Sequence, residues 1–156
     1  MIEMELAGVR VELPTNQPVV LLREREGERY LPIWIGASEA AAIALSLQGV
    51  VTPRPMTHDL MKNILDDLSV QVQRIVVTEL REGTFYATID MRRNGDSYAI
   101  SSRPSDAIAL AVRIAAPIFA NEEVLDEASI LIPGEEDEEV EKFKAFLEEV
   151  EPEDFA

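Results

Sequence analysis

The chain has no cysteine and only one histidine among its 156 residues. Lack of thiols excludes disulfides, thiolate metal sites and cysteine nucleophiles, and fits a reducing compartment. No stretch reaches the roughly 18 consecutive apolar residues of a membrane span. The start, Met1-Ile2-Glu3-Met4-Glu5, also lacks the basic-then-apolar layout of a signal peptide. Together these features predict a cytoplasmic protein with no membrane partner. Basic residues are scarce as well: 14 Lys and Arg against 30 Asp and Glu leave a net charge of -16. That balance excludes a broad basic surface for gripping nucleic acid. Residues 135–156 hold 11 of the acidic and 2 of the basic side chains, so the body is less acidic than the total suggests. A polyanion would have to be held by a few local arginines or through bridging metal ions. Gly-rich phosphate loops, zinc-ligand spacings and serine-nucleophile motifs are all missing.

What is present suffices for one buried core, with 47% hydrophobic residues. We read residues 1–134 as one domain and 135–156 as an acidic tail. Val9 to Leu13, Val19 to Arg23 and Tyr30 to Ile35 read as strands separated by Pro14–Pro18 and Glu26-Gly27-Glu28 turns. Ser38 then caps an alanine-rich helix from Glu39 to about Gln48, apolar on most sides and therefore expected in the interior. After a Thr57 cap, Met61, Ile64, Leu65 and Leu68 recur at helical spacing. Three strands follow, Val72 to Glu79, Thr84 to Met91 and Ser97 to Ser101, joined by Glu82-Gly83 and Asn94-Gly95 hairpin turns. A second apolar helix, capped by Ser105, runs from Asp106 to about Ala115. The pattern predicts a layered α+β domain with sheets around a helical centre, built on a duplicated unit of three strands and a buried helix. In the tail, Val140, Phe143, Phe146, Leu147 and Val150 give an amphipathic helix that docks on its own domain or on a partner.

Two segments carry the functional signal. Arg54-Pro55-Met56-Thr57-His58-Asp59 and Arg103-Pro104-Ser105-Asp106 each place a guanidinium, a rigid proline, a hydroxyl and an aspartate at a helix start. Free backbone N–H groups there can hold an anion. Arg54 and Arg103 suit bidentate phosphate contacts, assisted by Thr57 and Ser105. His58 is the natural general base or acid, since histidine titrates near neutrality. Asp59 and Asp106, with Glu39 from the matching helix start, are candidate ligands for Mg²⁺ or Mn²⁺. The structural alternative is equally concrete. A carboxylate in a first helical turn gains about 0.3–1 kcal/mol from the helix dipole alone, and Arg103 to Asp59 or Arg54 to Asp106 pairs would join the halves without any substrate. Trp34, on an alternating strand, is expected in the core, with stacking on a base as the lesser reading.

Leu31-Pro32-Ile33-Trp34-Ile35-Gly36, Glu39-Ala40 with Ala42-Ile43-Ala44, the Arg54 to Leu60 segment, Gly83-Thr84-Phe85-Tyr86-Ala87 and Arg103 to Leu110 together resemble the bifunctional nuclease family. The resemblance runs in order over about residues 4–130, and the tail from Val140 to Phe155 is similar to that of many bacterial members. It implies a three-layer β/α/β arrangement with a duplicated motif, and an activity that cuts both DNA and RNA. At one place this chain departs from the pattern: Ser101, followed by Ser102, stands where the family usually has an aspartate two residues before the second Arg-Pro. A site depending on that aspartate would be weakened here. Three functions are therefore expected to compete. The first is a metal-assisted nuclease of low sequence preference. The second is a non-catalytic, homo-oligomeric binding or assembly module, a homodimer by preference, whose capped arginines are structural or bind a small anion or a protein partner. The third is a nuclease shielded by an acidic tail that imitates a nucleic-acid backbone.

Overall fold

The computed structural model describes residues 1–12 and 14–132. The expected tail helix lies outside the described residues. The N-terminal alternation Ile2-Glu3-Met4-Glu5-Leu6 makes β1 begin earlier than expected, at Ile2, and run to Glu12 (Ile2–Glu12). Its register against β2 (Gln17–Glu24) shifts between Leu6 and Gly8. Gly8, at φ 148°, supplies the backbone conformation for this bulge, so one strand continues through a change of pleat. The meander closes with β3 (Arg29–Trp34) and leads into α1 (Ala37–Leu47).

The helix α2 (Thr57–Asp67) is followed by a second meander, β4 (Gln71–Arg81), β5 (Thr84–Arg93) and β6 (Asp96–Ser102), and then by α3 (Pro104–Ile114). Its turns are the two-residue loops expected at Glu82-Gly83 and Asn94-Gly95, with all four residues at positive φ. Three short elements complete the chain: β7 (Ile118–Ala120), α4 (Glu122–Ala128) and β8 (Ile130–Leu131). The class is α+β, with the two three-strand-plus-helix units in sequence.

The meanders form one sheet rather than two. Its strand order is β6-β5-β4-β7-β1-β2-β3-β8. The three-residue β7 runs parallel to β4 and antiparallel to β1, and so joins the units in opposite senses. α1 rests on β1 and β2, α3 rests on β4 and β5, and the two helices pack on each other. Seven consecutive-turn residues of α3 are buried, including Ile108 and Leu110 at 1% exposure or less. Each such side chain contributes about 1.5–3 kcal/mol relative to an exposed one. In α1 only Ala40, Ile43 and Ala44 are buried, so the interior position expected of both helices belongs to α3. Trp34 is also not a core residue. Leu31, Ile33 and Ile35 take the inward phase of the strand, and the alternation leaves Trp34 49% exposed on the opposite face.

Candidate functional site

The helix starts differ from the expected caps. α3 begins at Pro104, whose fixed φ suits the first helical position, and Arg103 rather than Ser105 is the N-cap. Ser105 is drawn inside the helix and buried. α2 is entered through Met56 in extended conformation, with Thr57 as its first residue. There the free N–H of Met56 is satisfied by Asp59 Oδ2 at 3.0 Å, which is the return half of a capping box. α1 starts after Gly36, two residues earlier than a Ser38 cap would place it. In consequence Glu39, Asp59 and Asp106 occupy the same third position of α1, α2 and α3, where a carboxylate meets the positive end of the helix dipole.

His58 is buried at the start of α2. Its Nε2 lies 2.9 Å from Asp106 Oδ1 at the start of α3, so the two motifs, 48 residues apart, meet. Arg103 folds back on its own Asp106, with Nε 2.9 Å from Oδ2 and Nη2 3.2 Å from Oδ1. Its remaining arm, Nη1, donates to Glu39 Oε1 at 3.1 Å. Gly36 permits that contact. A Cβ there would sit 2.3 Å from the Glu39 carboxylate and push it off the helix start. Starts of all three helices thus converge on one chain, His58–Asp106–Arg103–Glu39. Burial opposes charge on Asp106, but the Arg103 and His58 hydrogen bonds outweigh it and hold the carboxyl below its ordinary range. The Asp106 hydrogen bond in turn raises the Arg103 guanidinium, which is 63% exposed at its side chain.

Asp59 does not join this chain. It is claimed by Arg113, a residue that sequence reasoning passed over. Arg113 Nε donates to Asp59 Oδ1 at 2.7 Å, Nη1 to the Ala109 carbonyl at 2.8 Å and Nη2 to the Ala42 carbonyl at 2.9 Å. The side chain is 7% exposed, and it ties α1, α2 and α3 together. Burial works against the Asp59 charge, yet the Arg113 and Met56 hydrogen bonds leave its pKa lowered. Neither of the expected cross-pairs, Arg103 with Asp59 or Arg54 with Asp106, forms. Arg113 and His58 make the junction instead.

The remaining candidates are placed as follows. Arg54 and Thr57 are exposed, and no ion pair is made by the Arg54 guanidinium among the described residues. Ser101 is exposed on β6 opposite Thr88, and Ser102 Oγ donates to the Arg103 carbonyl at 2.8 Å. For a divalent metal the present arrangement does not fit. Glu39 and Asp106 are turned onto Arg103 and Asp59 onto Arg113, and no group of three or more His, Asp or Glu side chains is placed to share an ion among the described residues. Two surface hollows, of about 430 and 440 Å³, lie elsewhere, around Ala111–Ile118 at the far end of α3. No helix among the described residues is long and apolar enough to cross a membrane.

Comparison with known proteins agrees with the resemblance carried by these motifs. The family model for the bifunctional nuclease domain matches residues 20–133, and the chain belongs to that family. An uncharacterized protein of Mycobacterium tuberculosis is 51% identical over 162 residues, covering 98% of this chain and 97% of the relative. Bifunctional nuclease 2 of Oryza sativa subsp. japonica is 28% identical over 115 residues, 71% of this chain but 35% of the plant protein. Bifunctional nuclease 2 of Arabidopsis thaliana is 28% identical over 70% of this chain and 35% of its own length. The chain thus corresponds to about a third of each plant relative.

Proposed function

We propose, with that membership as the premise, that the protein is a nuclease that hydrolyses phosphodiester bonds of DNA or RNA with little sequence preference at the joined starts of α2 and α3. The observation that carries this reading is the 2.9 Å contact between His58 Nε2 and Asp106 Oδ1. An ionised Asp106 accepts a hydrogen bond from Nε2–H, fixes the ring and leaves Nδ1 to take the proton of an attacking water as the P–O bond breaks, that proton then passing to the leaving oxygen. Arg103 is the anion contact. It is more than half exposed, and a phosphate takes the place of the Glu39 and Asp106 oxygens that now occupy its fork. Arg54 and Thr57, both exposed at the start of α2, are further phosphate contacts of the proposal, and Ser105, being buried, acts only through its backbone N–H. The net charge of -16 makes such binding local and weak, which suits low sequence preference. Assistance by Mg²⁺ or Mn²⁺ is a separate arm of the proposal, because the carboxylates that would hold the ion are engaged by arginines.

A specific observation favours a second reading. The charges of Glu39, Asp106 and Arg103 are already matched within the chain, as in a clamp that fastens three helices without any substrate. Purified protein incubated with single- and double-stranded DNA and RNA, with Mg²⁺, Mn²⁺ or chelator, separates the two. The nuclease reading expects cleavage that His58→Ala, Asp106→Asn and Arg103→Ala each reduce while the protein stays folded. Cleavage that survives all three variants belongs to a contaminant. A protein that is destabilised by them and never cleaves is the clamp.

A further inference from the structure

Among the described residues, α2 leaves an apolar stripe uncovered. His58 is buried, and Met61 and Leu65 pack on the core, but Met56, Leu60, Ile64 and Leu68 stand 48% to 52% exposed. These four are spaced by four residues and form a ridge inclined to the helix axis on the solvent side. Leu47, Val50 and Val51, just before α2, are 47% to 91% exposed as well. The four side chains of the ridge present on the order of 400 Å², within the range of the largest apolar patch on a monomer. A standard interface uses about 800 Å² from each partner, so the ridge supplies about half of one.

The ends of the same helix carry opposite and locally unfavourable charge. Arg54 precedes the positive end and makes no ion pair among the described residues. Asp66 and Asp67 sit at the negative end, where the last turn has no basic residue. Neither acid forms a salt bridge among the described residues. A second, antiparallel copy of α2 repairs both defects. With a two-fold axis midway between Leu60 and Ile64, Met56 of one copy meets Leu68 of the other and Leu60 meets Ile64. Arg54 then falls opposite Val70, just past the end of the opposing helix and one turn from its exposed Asp67, twice by symmetry.

We infer that the α2 stripe is an isologous homodimer interface, with Leu60 and Ile64 at its centre and Arg54 paired with Asp67 of the other copy. Segment 47–68 is close to neutral within a strongly acidic chain, so two copies repel least on this face. Arg54 thereby serves the interface, and Arg103 carries the anion contact of the proposed reaction. The inference does not depend on that reaction.

The test is the mass of the full chain by sedimentation velocity at low micromolar concentration, at low and high salt. The wild type should sediment at twice the 17.4 kDa chain mass. Ile64→Asp should weaken association at least about a hundredfold with an unchanged far-UV circular dichroism spectrum, as a half-exposed position allows. Arg54→Asp and Asp67→Arg should each weaken it about three- to tenfold at low salt, and the double variant should recover. A wild type that stays monomeric overturns the inference, and the stripe is then covered by the chain's own tail or by another protein. A dimer that survives Ile64→Asp also overturns it. If that dimer dissociates with Ile100→Lys, the interface is the open β6 edge with its exposed Tyr98 and Ile100.

Discussion

The starts of α2 and α3 share almost the same residues and are used differently. At α3 the arginine is the cap itself, clasps its own aspartate three residues on, and leads a helix buried along most of its length. At α2 the arginine stands two residues outside the cap and is unpaired among the described residues, while the aspartate is taken by Arg113 from the neighbouring helix. The difference follows from where each proline falls. Pro104 is the first helical residue, so Arg103 is pulled into register with Asp106. Pro55 precedes an extended Met56, which moves Arg54 out of reach. A repeated motif thus makes one closed, self-neutralised start and one open start, and His58 joins the open one to the closed one.

The largest effect should come from the shared anchor. Arg113→Met leaves Asp59 and two carbonyls without their donor, at a cost of about 3 kcal/mol, less than for a sealed pair because Asp59 keeps 35% exposure. Urea denaturation should show the unfolding free energy extrapolated to water falling by that amount. Asp106→Asn should lower stability by about 1–2 kcal/mol, since the 29% exposed carboxylate holds both His58 and Arg103. Cleavage should drop at least about a hundredfold, by loss of the group that orients the general base.

Acid should loosen the two starts together. Asp59 and Asp106 both have lowered pKa values. Their contribution is therefore complete above the ordinary carboxyl value of 3.8 and disappears as pH falls below it through the folded values. Denaturation midpoints measured from pH 6 down to pH 3 should decline most steeply at the acidic end, and the decline should be shallower in Asp106→Asn. Next in size, Arg103→Ala should cost under about 1 kcal/mol, because its pairs are exposed, while a phosphate contact at the same residue predicts a roughly tenfold or greater loss of cleavage. Stability and rate measured on one sample separate these. Smallest is Arg54→Ala, expected within about 0.5 kcal/mol of wild type in chain stability. A larger loss in the monomeric protein would show that the open start is not open.

The fold was largely legible because its signals are local. Period-2 strands, the Glu82-Gly83 and Asn94-Gly95 turns and the apolar run of α3 each act through their own neighbours. β7, α4 and β8 were missed because three- and two-residue strands have no periodicity and owe their form to β1, β3 and β4. In the site, His58, Asp59, Arg103 and Asp106 lie at the starts of α2 and α3, the segments their motifs marked, while Arg54 stands apart from them. Their partners were not legible, since Asp59 to Arg113 spans 54 residues and depends on how three helices pack. One clue was present: Arg113 is the lone charge in the run from Ala107 to Ile114, and a buried arginine in such a setting requires a carboxylate and carbonyls. The caps misled because a hydroxyl was preferred over a proline at the first helical position.

The most direct test of the account is a double-mutant cycle on cleavage of single-stranded nucleic acid, using wild type, His58→Ala, Asp106→Asn and the double variant, all confirmed folded. If the pair is the reacting unit, either change should remove most of the activity and the double variant should be no slower than the worse single one. Equal activity in all four proteins, or losses that simply multiply, would contradict the claim that His58 and Asp106 act together on the phosphodiester.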